Sequence, residues 1–125
     1  MKQIKRGIYL KTNEFFKKIY LHDSLMENIT FDGTKLTLDI DLCRWMQNNY
    51  RPSDDEIKRI QVIFYNVTCF NLDGKKEVDS DTILNFSIVK EESSRSSPLI
   101  KIVSGDGSDI KIISFRSDIV ELNWE

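Results

Sequence analysis

From Lys35 to Cys43 every second residue is aliphatic. Leu36, Leu38, Ile40 and Leu42 point one way and Lys35, Thr37, Asp39 and Asp41 the other, the period-two signature of a strand with one buried face. A strand over Ser24–Phe31 precedes it across Asp32-Gly33. Between Ile57 and Leu72 apolar residues fall on both parities, Ile60, Val62 and Phe64 against Ile63, Tyr65 and Val67, which predicts a strand covered on both faces. Leu84, Phe86 and Ile88 alternate with Asn85 and Ser87, and Leu99–Val103, Ile110–Phe115 and Ile119–Trp124 complete a meander. One segment departs from this period. Phe15, Phe16, Ile19 and Tyr20 gather within about one helical turn with Lys17 and Lys18 opposite, predicting a helix over Asn13–Tyr20 capped by Thr12 or Asn13. Its Phe15, Phe16 and Ile19 side is the expected cover for the second face of the 57–72 strand.

Turn chemistry agrees with a β-rich chain. Asp32-Gly33, Asp73-Gly74 and Asp106-Gly107 are each flanked by strand-like residues and read as hairpin turns of type I′, which need positive φ at both central positions. The pattern predicts a mainly β (α+β) fold in a single domain: an antiparallel two-layer sandwich or open barrel of about seven strands with one N-terminal helix. Trp45 to Glu56 is rich in turn formers and reads as a long loop, and 91–98 as a flexible connector.

At 125 residues the chain is large enough to bury a core without metal or disulfide support. No apolar run approaches the roughly 20 residues of a membrane span, and Met1–Arg6 is not followed by the apolar region of a signal peptide, so a cytoplasmic location is expected. Cys43 and Cys69 are isolated from one another and from His22, which predicts free thiols and no metal. Net charge is −2, but residues 1–20 carry six Lys/Arg against Glu14 alone, while the remainder carries twelve against nineteen Asp/Glu. An acidic body argues against nucleic acid, whose phosphates require Lys and Arg, and favours a basic protein partner.

Candidate chemistry is sparse. There is no phosphate-binding glycine loop among the five glycines, and no cofactor motif. His22-Asp23-Ser24 invites a catalytic reading, but three consecutive residues on an extended chain point alternately to opposite faces, so local capping is the simpler account. Asp39 and Asp41 share a strand face that solvation explains without a metal. Trp45 and Tyr50, with the acidic run Asp54, Asp55 and Glu56, combine hot-spot aromatics with charge in one loop, and form the expected partner-binding patch.

Leu21-His22-Asp23-Ser24, the Ile29 strand, the Gly33 turn, the Leu36-x-Leu38-x-Ile40 strand and the closing Val120-x-Leu122-x-Trp124 together resemble a group of small, uncharacterised bacterial β-rich domains, several of them suspected immunity proteins of polymorphic toxin systems. The resemblance implies an antitoxin-like protein that neutralises a cognate, basic toxin domain by occlusion, without a cofactor and without catalytic residues to carry over. The alternative from the residues themselves is a small-ligand binder or modest hydrolase with a site at His22, Asp23 and Asp41.

Overall fold

The computed structural model describes residues 7–43, 57–74, 81–89, 97–105 and 110–124. Nine strands and one short helix follow in the order β1 (Ile8–Lys11), α1 (Thr12–Lys18), β2 (Leu25–Phe31), β3 (Leu36–Cys43), β4 (Ile57–Tyr65), β5 (Thr68–Asp73), β6 (Asp81–Ile88), β7 (Leu99–Gly105), β8 (Ile110–Arg116) and β9 (Ile119–Trp124). The strands form one antiparallel sheet in the order β1-β9-β4-β3-β2-β6-β7-β8-β5. The fold is mainly β, as the alternation predicts, with nine strands rather than about seven.

The sheet folds back on itself. β4 and β8 are five places apart in the strand order, about 24 Å in a flat sheet, yet the rings of Phe64 and Phe115 lie 4.8 Å apart centre to centre. The fold line is the β2–β6 junction, where only Leu25↔Thr82 and Met26↔Asp81 pair. Two facing layers result, β1-β9-β4-β3-β2 and β6-β7-β8-β5. Between them lies a core that includes Leu36, Leu38, Ile40, Ile60, Val62, Phe64, Ile100, Ile102, Ile113 and Phe115, all at 1% exposure or less.

The two additional strands have separate causes. β1 is short and mostly exposed, so it carries no apolar alternation and its existence depends on pairing with β9. The 57–72 run is two strands: Asn66 adopts φ 55°, the chain turns, and β5 crosses to the other layer to pair with β8.

The helix ends earlier than its apolar pattern, at Lys18, because Ile19 is already extended (φ −122°, ψ 127°). Its N-cap is Lys11, without a side-chain cap, in place of the expected Thr12 or Asn13. Thr12 is buried and its hydroxyl donates instead to the Ser117 carbonyl, tying the helix to the β8–β9 turn. The helix covers no outer face of β4. Phe15 packs inward against Phe64 and Phe86, at 6.2 Å from each ring. Outward-facing Ile63, 8% exposed, is shielded by its rung neighbours Thr37 and Glu121.

Asp32-Gly33 joins β2 to β3 as expected, but not as a type I′ turn. Only Gly33 has positive φ (100°), while Asp32 Oδ1 accepts the amides of Thr34 and Lys35 at 3.3 and 2.8 Å. Those amides hold the Asp32 carboxyl below its usual range. Asp73-Gly74 is not a hairpin, since β5 and β6 do not pair. Gly74 instead sits at φ 109° with space for a Cβ only 2.6 Å from the Ile110 carbonyl, whereas a Cβ on Gly33 would meet nothing within 4 Å. Gly33→Ala is therefore expected to cost about 1–2 kcal/mol, the backbone strain alone. Gly74→Ala should cost clearly more, the two being ranked by urea midpoints. Equal losses would refute the close approach at Gly74.

Candidate functional site

The outward residues of β3, β4, β9 and β1 align rung by rung. Register sets Asp39 beside Gln61 and Gln61 beside Asn123, and their side chains form a relay: Asn123 Nδ2 donates to Gln61 Oε1 and Gln61 Nε2 to Asp39 Oδ1, each at 3.4 Å. Gly7 abuts this relay, since a Cβ there would stand 2.2 Å from Asn123 Oδ1. On the adjacent rung Thr37, Ile63, Glu121 and Tyr9 stand in a row. The Tyr65 hydroxyl donates to Glu121 Oε1, and the Tyr9 ring lies 6.0 Å from that of Tyr65. Toward the opposite end Arg59 Nε donates to Asp41 Oδ1. The face thus presents Asp39, Asp41 and Glu121 around Arg59 and Lys35, bordered by Tyr9, which is 61% exposed.

Electrostatics hold Glu121 ionised. Partial burial works to raise its pKa, but hydrogen bonds from Tyr65, Asn123 and Tyr9, with Lys35 nearby, outweigh burial and leave it lowered. Tyr65 is pushed above its ordinary 10.0, chiefly because its proton is held by the Glu121 carboxylate and secondarily by burial. The depressed Glu121 value stabilises the fold above about pH 4.5, and this is lost as pH falls through the folded-state pKa. The raised Tyr65 value acts below pH 10.0 and is lost as pH rises through its folded pKa. Glu121→Gln is accordingly expected to lower the urea midpoint at pH 7, with the difference from wild type shrinking below pH 4.5, and to bring Tyr65 ionisation, followed at 295 nm, down toward 10.0. A midpoint difference independent of pH would show that the carboxylate charge plays no part.

The residues singled out by sequence are dispersed. His22 and Asp23 adjoin at the end of the helix segment, Nδ1 to Oδ2 3.3 Å, an ion-pair distance without hydrogen-bond geometry, and Asp23 has φ 69°. Asp41 is elsewhere, held by Arg59 on the outer face. Of these three only His22 lines a groove, of about 230 Å³, between residues 16–22 and β6. Trp45, Tyr50, Asp54, Asp55 and Glu56 lie outside the described residues, in the segment that links β3 to β4. Cys43, whose parity with Asp39 and Asp41 predicts partial exposure, is buried, and its amide donates to Ser24 Oγ at 2.8 Å. Cys69 is exposed, and the two cysteines are not joined by a disulfide.

Among the described residues no three His, Cys, Asp or Glu side chains gather as metal ligands, and no helix is long and apolar enough to cross a membrane. Sequence reasoning missed Tyr9, Gln61, Tyr65, Glu121 and Asn123. Their only local signal is a polar residue on the outward parity of a strand, which most exposed strands share. No protein-family model, curated protein or solved structure matches the chain.

Proposed function

We propose that the chain is a non-catalytic protein-interaction module, an immunity-type protein that neutralises a basic toxin domain by occluding it. The observation that carries this reading is the outer face of β1, β9, β4 and β3. It is a sheet surface on which Asp39, Asp41 and Glu121 each accept a hydrogen bond from a side chain of the neighbouring strand β4, with Tyr65 and Tyr9 beside Glu121. Carboxylates held in place by hydrogen bonds suit recognition of Lys and Arg side chains, because little further ordering is needed on binding. Tyr9 supplies an exposed amphipathic ring of the kind enriched at binding hot spots. The segment 44–56, which carries Trp45, Tyr50 and the Asp54-Asp55-Glu56 run, links β3 to β4 in the chain.

The test is affinity capture from the source cells by wild-type protein and by a variant with Asp39→Lys and Asp41→Lys, at low and at physiological salt. A basic protein retained by the wild type, and associating more slowly with the variant chiefly at low salt, is the expected result. Undiminished association with the variant, together with a hydrolytic activity abolished by His22→Ala, would replace this reading with a site at the helix–strand junction.

A further inference from the structure

β6 has an open edge. Among the described residues it has no strand partner on the β2 side beyond Thr82: Ile83 still exchanges hydrogen bonds with Asp23 and Ser24 at 2.9 and 2.8 Å, and the described pairing ends there. On its other side β6 pairs with β7 at Thr82 and Ile83 and again from Asn85 to Ile88, with a register shift between Ile83 and Asn85. The Val89 amide donates to the Leu99 carbonyl, so by strict alternation Ser87 and Asn85 also bond toward β7, and the main-chain groups of Phe86 and Ile88 face the open side.

The open edge lies along a groove rather than against a flat surface. The groove, of about 230 Å³, is walled on one side by Leu84, Phe86 and Ser87 and on the other by Phe16, Ile19 and Tyr20, with Leu84 42% and Tyr20 49% exposed. Leu84-Asn85-Phe86-Ser87-Ile88 contains no charge and no proline, the usual protections of an edge strand. Three lysines flank it among the described residues, against Glu14 and Asp23. Lys101 stands directly across from Ser87, and exposed Lys17 and Lys18 fall between Phe16 and Ile19, while Asp23 at the His22 end is the nearest carboxylate in sequence to the groove wall.

We propose that this edge binds an extended acidic peptide of a partner protein as an additional strand, with apolar residues entering the groove and carboxylates meeting Lys17, Lys18 and Lys101. Only an extended backbone satisfies a row of strand amides and carbonyls along an edge, and alternate side chains supply the specificity. The positive rim selects acidic partners here, whereas the outer face of the other layer selects basic ones. The two surfaces are therefore expected to act independently.

A capped seven-residue peptide alternating glutamate and valine is the probe, titrated into the full chain and followed by amide NMR and hydrogen exchange. Expected are shifts and new protection confined to the amides of Phe86 and Ile88 and their neighbours, and affinity reduced about tenfold at low salt by Lys17→Glu with Lys101→Glu. N-methylation of alternate peptide amides provides a test that leaves the protein unchanged: one methylated register should abolish binding and the other retain it. No shift at millimolar peptide, shifts centred on Glu121 and Tyr65 instead, or equal binding by both methylated registers would each overturn the proposal. So would concentration-dependent protection of the same edge without peptide, which would assign it to a second copy of the chain.

Discussion

Phe64→Ala is expected to destabilise the protein by about 3–5 kcal/mol, among the largest losses available from one side chain. Phe64 is fully buried and its ring meets three others: Phe115 at 4.8 Å and 69°, Phe15 at 6.2 Å and 75°, and Phe86 at 6.1 Å. Those partners belong to β8, α1 and β6, so one side chain joins both layers of the folded sheet to the helix. Truncation removes the transfer free energy of a phenyl group and leaves a cavity that the surrounding strands, fixed by their hydrogen-bond ladders, cannot collapse to fill. The edge-to-face contacts with Phe115 and Phe15 add about 0.5–1.5 kcal/mol each beyond burial. Urea unfolding reads the effect directly. A loss below about 1 kcal/mol would mean that the two layers do not meet at Phe64.

The same residue shows why the strands were legible in the sequence and their arrangement was not. Ile60, Val62 and Phe64 announce a buried face by alternation, as do Leu36, Leu38 and Ile40, because period two is a local property of the extended chain. Which layer a strand joins is not local. The break after Tyr65 rests on positive φ at Asn66 and again at Cys69 inside an apolar run, and Asp73-Gly74 has the composition of a hairpin turn although β5 pairs with β8 rather than β6. β8 misleads in another way. Its sequence offers Ile110 and Ile112 on one parity and Lys111 and Ile113 on the other, and the structure buries Lys111 while leaving Ile110 57% exposed. The outer-face relay was illegible for a similar reason: Gln61 and Asn123 are separated by 62 positions and Tyr65 and Glu121 by 56, so only the β4–β9 register brings them together. Had that register been known, four polar residues on one outward parity would have marked the face.

The inward lysine carries the second large prediction. Lys111 is 3% exposed, on the core parity of β8 with Ile113 and Phe115, and its Nζ lies 2.6 Å from Asp81 Oδ2, itself 9% exposed. The pair closes the end of the layered interior where β6 begins, beside the two-rung β2–β6 junction that allows the sheet to fold. Two charges removed from water incur a desolvation penalty that their attraction roughly offsets, so the pair as a whole adds little net stability. Removing one partner is different, because the remaining charge stays buried without the group that faced it. Lys111→Met alone is expected to lose about 3–5 kcal/mol, and Asp81→Leu alone a similar amount. The double variant, which replaces both charges with apolar groups of comparable volume, should recover most of the loss. The coupling term of the cycle, measured by urea unfolding, reports the interaction itself. If the single and double variants unfold at the same denaturant concentration, Lys111 and Asp81 do not form a buried pair, and the fold line at β2–β6 must be held by its backbone bonds and apolar neighbours alone.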